Sequence, residues 1–139
     1  MPPKLFIATK AFILHQGKIL IVREAPTYAT GTQIGKYDVV GGRLQAGEHF
    51  DDGLKREARE EVGLEIEVGS PFFVNESWPT INGEQHQIVR VFFRCTAKTT
   101  AVQLSHDHDD FQWIEPHYYF QYPIIENLIP AFQSLITKR

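Results

Sequence analysis

Phe50, Leu54, Ala58 and Val62 recur at four-residue steps, and Gly63 follows as a stop. That spacing predicts a helix over Phe50–Val62 in a chain that otherwise reads mostly as strands. Leu5–His15 and Lys18–Arg23 are β-rich runs, and Gln16-Gly17 between them predicts a hairpin. Ala25–Lys36, with Pro26, Gly31 and Gly35, reads as an irregular loop. Tyr37–Val40 reads as a short strand ending abruptly at Gly41-Gly42. Leu64–Val68 and Phe72–Trp78 look extended, with a turn from Pro79 to Gly83. Gln85–Cys95 predicts a strand with Val89, Val91, Phe93 and Cys95 on one face and His86, Ile88, Arg90 and Phe92 on the other. Phe111–Ile114 is a further short strand. Ile124–Ile136 has helical spacing, with Pro130 either kinking that helix or marking its start. One central helix, one terminal helix and many strands predict an α+β class with a mixed β-sheet sandwiched by helices.

A chain of 139 residues fits one domain spanning 1–139 and can bury a real core. Its net charge of -3 gives no electrostatic reason to expect duplex nucleic acid or an anionic membrane as a partner. The single cysteine, Cys95, rules out an intramolecular disulfide, so a cytoplasmic location is expected. Leu5–Leu14 is apolar but too short to span a membrane, and it carries Lys10.

On the predicted helix, Glu57, Glu60 and Glu61 stand at i, i+3 and i+4 and therefore share one face. Three like charges there need a neutraliser. Arg56 and Arg59 supply one, which makes a solvated, salt-bridged helix. A hard divalent cation is the other, since clustered carboxylates are what Mg²⁺ or Mn²⁺ prefers. Gly41-Gly42 permits either a plain turn or close backbone approach to a ligand. Glu48 near the helix start suits the helix dipole by itself.

Read together, Gly42, five residues, Glu48, seven residues and Arg56-Glu57-Ala58-Arg59-Glu60-Glu61-Val62-Gly63-Leu64 match every fixed position of the Nudix box. This is the loop-helix-loop signature of the MutT-like hydrolases, and here it spans residues 42–64. The chain departs from many members in having Val40 where proline precedes the paired glycines, and Gly53 where alanine is common. The resemblance implies an α/β/α sandwich and metal-dependent cleavage of a diphosphate linkage.

It also implies roles. Glu57, Glu60 and Glu61 would bind the divalent metal, Mg²⁺ or Mn²⁺, with Glu48 as a direct or water-mediated ligand and the Gly41 carbonyl as a backbone ligand. Arg56 would orient a glutamate through a salt bridge. Glu57 is the favoured general base. Residues Ser105 to Trp113 resemble the late loop of many members, which makes Asp107 a distal metal ligand or His108 the base, against a plain polar surface turn. Gly42 would approach the substrate, and Arg23 and Arg90 are candidate phosphate contacts, against exposed salt bridging. Phe12, Tyr28, Trp78 and Phe120 are candidates to stack on a base or fill a leaving-group pocket.

Within this family the first expectation is a nucleoside triphosphate pyrophosphohydrolase, because the chain is compact. ADP-ribose or nucleotide-sugar hydrolysis is the alternative, with Pro79, 15 residues after Leu64, resembling a placement in ADP-ribose-cleaving members. A noncatalytic nucleotide-binding domain would be expected to lose box glutamates, and an isomerase on the same fold would need a catalytic cysteine. The expected partner is a nucleotide-like small molecule, with a homodimer as the possible assembly.

Overall fold

A computed structural model describes residues 2–26 and 33–137. Strands β1 (Lys4–His15) and β2 (Lys18–Glu24) form the expected hairpin. Gln16 and Gly17 both take positive φ, 51° and 81°, as a two-residue turn matched to strand twist requires. There follow β3 (Tyr37–Asp38), β4 (Val40–Arg43), helix α1 (Phe50–Val62), β5 (Ile66–Ser77), β6 (Thr80–Ile81), β7 (Glu84–Ala97) and β8 (His108–Ile114). Two 3₁₀ turns, Pro116–Gln121 and Glu126–Leu128, lead into α2 (Ile129–Thr137).

The predicted helix has the expected bounds, and Gly63 ends it in the left-handed conformation with φ 66°. Four expectations are refined. The short strand at Tyr37–Val40 is two, β3 and β4, and Gly41 and Gly42 lie inside β4 rather than ending it. The two extended runs after α1 are one strand, β5, whose register shifts between Val68 and Phe73. The turn at Pro79 to Gly83 is a small hairpin in which β6 pairs with β7. Pro130 lies in the first turn of α2, where its missing N–H costs nothing, so the terminal helix is shorter than its apolar spacing suggests.

The sheet is mixed. β1 runs parallel to β7 and antiparallel to β2 and β4, in the order β3-β2-β1-β7-β5. Strand alternation sends residues to two cores. Ala11, Ile13, Leu20, Val22, Phe93 and Cys95 meet Leu54, Ala58 and Val62 of α1. Phe12, Ile19, Ile21 and Phe92 meet Leu128, Ala131 and Phe132 at the other face. This is an α/β/α sandwich. Among the described residues no helix is long and apolar enough to cross a membrane.

One edge of β1 is shared. It pairs with β2 at Leu14 and His15, and with β4 from Ala8 to Ala11. β2 and β4 therefore diverge along β1, and a cleft opens beside the C-terminal half of α1.

Candidate active site

The cleft has a volume of about 580 Å³ and is lined by residues from seven parts of the chain. β4 supplies Gly41, Gly42 and Arg43, and α1 supplies Glu57, Glu60 and Glu61. Lys10 comes from β1, Glu24 from β2, Asp38 from β3, Ser105 and Asp107 from the late loop, and His108 from β8.

The paired glycines let the backbone come close. Gly41 has φ 146°, and a Cβ there would stand 2.1 Å from the Thr9 carbonyl oxygen. A Cβ on Gly42 would meet the Glu57 carboxylate at 3.0 Å. The Gly41 N–H donates to Glu61 Oε2 at 3.2 Å, so strand and helix are joined at the carboxylate itself.

Glu61 is the buried acid of the site. Burial first, and then the neighbouring Glu57 carboxyl, push its pKa well above the usual carboxylate range, against the pull of Lys10. Two carboxyls that close need a proton or a cation between them. Glu60 is different: its side chain is 61% exposed at the cleft rim.

Arg56 organises the acids from behind. Its Nη1 donates to Glu57 Oε1 at 3.2 Å and to Glu60 Oε2 at 3.3 Å. Its Nε and Nη2 hold both oxygens of Glu48. That hydrogen bonding, with the Gln45 N–H, keeps the Glu48 carboxyl below its ordinary value. Glu48 and Arg56 do not line the cleft, so the structure joins Glu48 to the guanidinium rather than to the open space. Gly53 makes room for this pair: a methyl there would meet Glu48 Oε1 at 2.8 Å.

The late loop reaches the box through the helix end. The Gln103 N–H donates to the Val62 carbonyl at 2.9 Å and the Ser105 N–H to the Glu61 carbonyl at 3.0 Å. Carbonyls that α1 cannot satisfy internally thus tether the loop. Asp107 and His108 are thereby brought into the cleft, with His108 Nε2 3.9 Å from Glu61 Oε1. Burial lowers the His108 pKa below its ordinary value, so its ring is neutral near pH 7.

Arg23 and Arg90 lie elsewhere. Arg23 Nε donates to Asp109 at 2.8 Å, and Arg90 Nη2 to Ser77 Oγ at 2.9 Å, and neither lines the cleft. Phe12 is buried in the core, edge-on to Phe72 and Phe92, while Trp78 and Phe120 are exposed. Tyr28 lies outside the described residues. Cys95 is buried and its thiol is pushed up to about 12, which makes it a poor nucleophile.

Sequence reasoning did not single out Lys10, Asp38, Glu24 or Ser105 as site residues. Lys10 carried a signal: it interrupts an apolar strand, and only 9% of the residue is exposed. Asp38, Glu24 and Ser105 had none, since isolated polar residues at strand ends and in loops are ordinary.

Apart from the His108 imidazole, the side chains facing the cleft that could ligate a metal offer oxygens, mainly carboxylates, which suits a hard divalent cation. The abutting Glu57 and Glu61 carboxyls are the point where such an ion would replace a proton. Among the described residues no three acidic, imidazole or thiol groups converge closely enough to hold an ion as arranged. Arg56 Nη1 holds one oxygen each of Glu57 and Glu60.

Comparison with known proteins follows the same lines. A family model described as NUDIX domain matches residues 4–132. A protein of Escherichia coli strain K12 named CTP pyrophosphohydrolase is 26% identical over 136 residues, covering 98% of this chain and 95% of that one. A nucleoside triphosphatase NudI of Escherichia fergusonii is 25% identical over 119 residues, covering 81% and 83%. The crystal structure of a MutT protein from Methanosarcina mazei Go1 superposes with a TM-score of 0.79 at 20% identity, covering 99% of each chain.

Proposed function

This chain belongs to the Nudix family, and from that premise we propose that it is a nucleoside triphosphate pyrophosphohydrolase dependent on Mg²⁺ or Mn²⁺. The observation that carries the reading is the meeting of Glu57, Glu60 and Glu61 with Asp107 and His108 in one cleft beside Gly41-Gly42. The two relatives named for nucleoside triphosphate substrates are similar over most of their own length, which favours a triphosphate over a nucleotide sugar or ADP-ribose.

In this reading water attacks phosphorus, one P–O bond of the diphosphate bridge breaks, and the products are a nucleoside monophosphate and pyrophosphate. Glu57, Glu60 and Glu61, with the Gly41 carbonyl, would hold the divalent ion. The ion, when bound, neutralises phosphoryl charge and raises the acidity of water. Glu57 takes the water proton, its carboxylate kept in place by Arg56 Nη1. Asp107, which also lines the cleft, would add a distal metal ligand. A specific observation favours His108 as the second choice of base: a neutral imidazole already faces Glu61. Arg56 acts as a positioning residue through Glu57, Glu60 and Glu48. Gly42 leaves room above Glu57 for the substrate.

The reading takes residues 1–139 as one domain and the cytoplasm as the location, supported by the single, buried Cys95. The test is a panel of nucleoside triphosphates, nucleotide sugars and ADP-ribose, assayed with Mg²⁺ and with Mn²⁺, with both products identified. Release of pyrophosphate and nucleoside monophosphate is the expected result. Preference for ADP-ribose or a sugar nucleotide overturns the triphosphate assignment.

A further inference from the structure

The cleft is poor in positive charge for an enzyme of a polyanion. Six of its lining residues are acidic: Glu24, Asp38, Glu57, Glu60, Glu61 and Asp107. Against them stand Lys10 and Arg43. The Arg43 guanidinium is spent on the ring of Phe6, 3.5 Å from its centroid. Among the described residues lining the cleft, Lys10 is the cation that remains.

Its placement is unusual. Lys10 sits mid-strand on β1, opposite Gly41 of β4 and Phe92 of β7. Its side chain is 11% exposed, and Nζ donates to Asp38 Oδ2 at 2.9 Å. A mid-strand lysine with so little water is costly to keep charged, and a single carboxylate satisfies one of its three N–H donors. It lines the same cleft as Glu61 of the box and His108 of the late loop.

We infer that Lys10 is a substrate-binding residue of this enzyme, its ammonium donating to a phosphoryl oxygen of the triphosphate, with Asp38 as the positioning residue that holds Nζ in place. This rests on the proposed triphosphate reading. The pair neutralises itself when no substrate is present. When a triphosphate enters, the free N–H donors of Lys10 add positive charge to a cleft lined mainly by acids. Lysine suits this role because it is a compact point charge that needs no planar match.

The test uses Lys10→Met, Lys10→Arg, Asp38→Asn and the double variant Lys10→Met with Asp38→Asn, in the full chain. Hydrolysis of CTP, UTP, ATP and GTP is compared, together with the melting-temperature shift produced by an α,β-methylene nucleoside triphosphate with Ca²⁺. A lost charged hydrogen bond is worth roughly 10- to 100-fold in kcat/KM. Lys10→Met is expected to lose that factor mainly through KM, equally for all four bases, and to lose most of the analogue-induced shift. Lys10→Arg should recover part of both. Asp38→Asn should cost less than Lys10→Met.

The double variant separates binding from structure. It removes both charges, so no carboxylate is left without its partner, and it should stay as impaired as Lys10→Met. Recovery of wild-type kcat/KM in the double variant would mean that Lys10 only neutralises Asp38, and would overturn the inference. A loss confined to one base would overturn it too, by placing Nζ against a base carbonyl. If the wild type hydrolyses none of the triphosphates, the proposed function fails, while the analogue shift still reads Lys10. No wild-type shift, or an equal shift in Lys10→Met, then overturns the inference by itself.

Discussion

The Arg56 guanidinium grips Glu48 at both oxygens, Nε to Oε2 at 2.9 Å and Nη2 to Oε1 at 3.2 Å. The same guanidinium reaches Glu57 and Glu60 with its third nitrogen. A loop acid and two helix acids thus share one cation, and their geometry is coupled. Lysine cannot reproduce this fork. Arg56→Lys is therefore expected to keep the fold but lower kcat on every substrate by at least tenfold, with a smaller metal-induced rise in melting temperature. Unchanged kcat would show that the glutamates hold their positions without it.

The three box glutamates are not equivalent. Glu61 is buried beside Glu57, while Glu60 stands largely in water at the rim. Glu57→Gln and Glu61→Gln should each reduce turnover by roughly 10²- to 10⁴-fold, the range for a positioned proton acceptor or ligand. Glu60→Gln should cost less. Metal should also raise the wild-type melting temperature by mass action, and replacing all three with Gln should abolish that gain. A metal-induced shift that survives in the triple variant would place the ion elsewhere.

The identity of the base can be read from pH profiles. If Glu57 is the base, His108→Gln leaves the acid limb of kcat in place and lowers the rate modestly. If His108 is the base, the same change removes that limb and costs roughly 10²- to 10⁴-fold. Asp107→Ala should raise the metal concentration needed for half-maximal rate. An unchanged metal requirement would remove Asp107 from the site.

Gly41 and Gly42 should fail in different ways. Gly41→Ala drives a methyl into the Thr9 carbonyl at 2.1 Å, at a φ of 146° that side chains rarely adopt. Backbone relaxation there costs about 1–3 kcal/mol in strain alone, so a clear drop in melting temperature is expected. Gly42→Ala meets only the Glu57 carboxylate, at 3.0 Å. It should fold and lose activity. A stable Gly41→Ala with full activity would refute the close approach.

Away from the site, the Tyr37 hydroxyl donates a short hydrogen bond to Asp110. That bond, ahead of the opposing effect of burial, holds the Asp110 carboxyl below its ordinary value. The unfolded chain then binds the proton more readily than the folded one. The stabilisation is present above the ordinary carboxylate pKa and is lost as pH falls through the lowered folded value. Burial, and then Asp110, raise the Tyr37 phenol, so its contribution is present below its ordinary pKa and is lost as pH rises through the raised one. Tyr37→Phe should flatten both limbs of a melting-temperature profile against pH. A profile unchanged below pH 4 would show that the bond contributes nothing.

Much of the molecule was legible along the chain because it depends on local spacing. The bounds of α1, its αL stop at Gly63, the Gln16-Gly17 hairpin and the two faces of β7 follow from periodicity and from residues that tolerate positive φ. The shared face of Glu57, Glu60 and Glu61 follows from 3.6 residues per turn. Tertiary structure decided what those residues meet. Glu48 turned to Arg56 because Gly53 left space there, a packing outcome with no local signature. Asp107 and His108 entered the cleft because the carbonyls of Glu61 and Val62 needed donors and the late loop supplied them. Arg23 and Arg90 found partners outside it. Lys10 and Asp38, 28 residues apart, became one partly buried pair where β2 and β4 diverge along β1. Spacing along a chain specifies which face of its own element a residue takes. Only the pairing of distant strands specifies which charges meet and how much water each keeps, and that placement gives Lys10, Asp38 and Glu61 their chemistry.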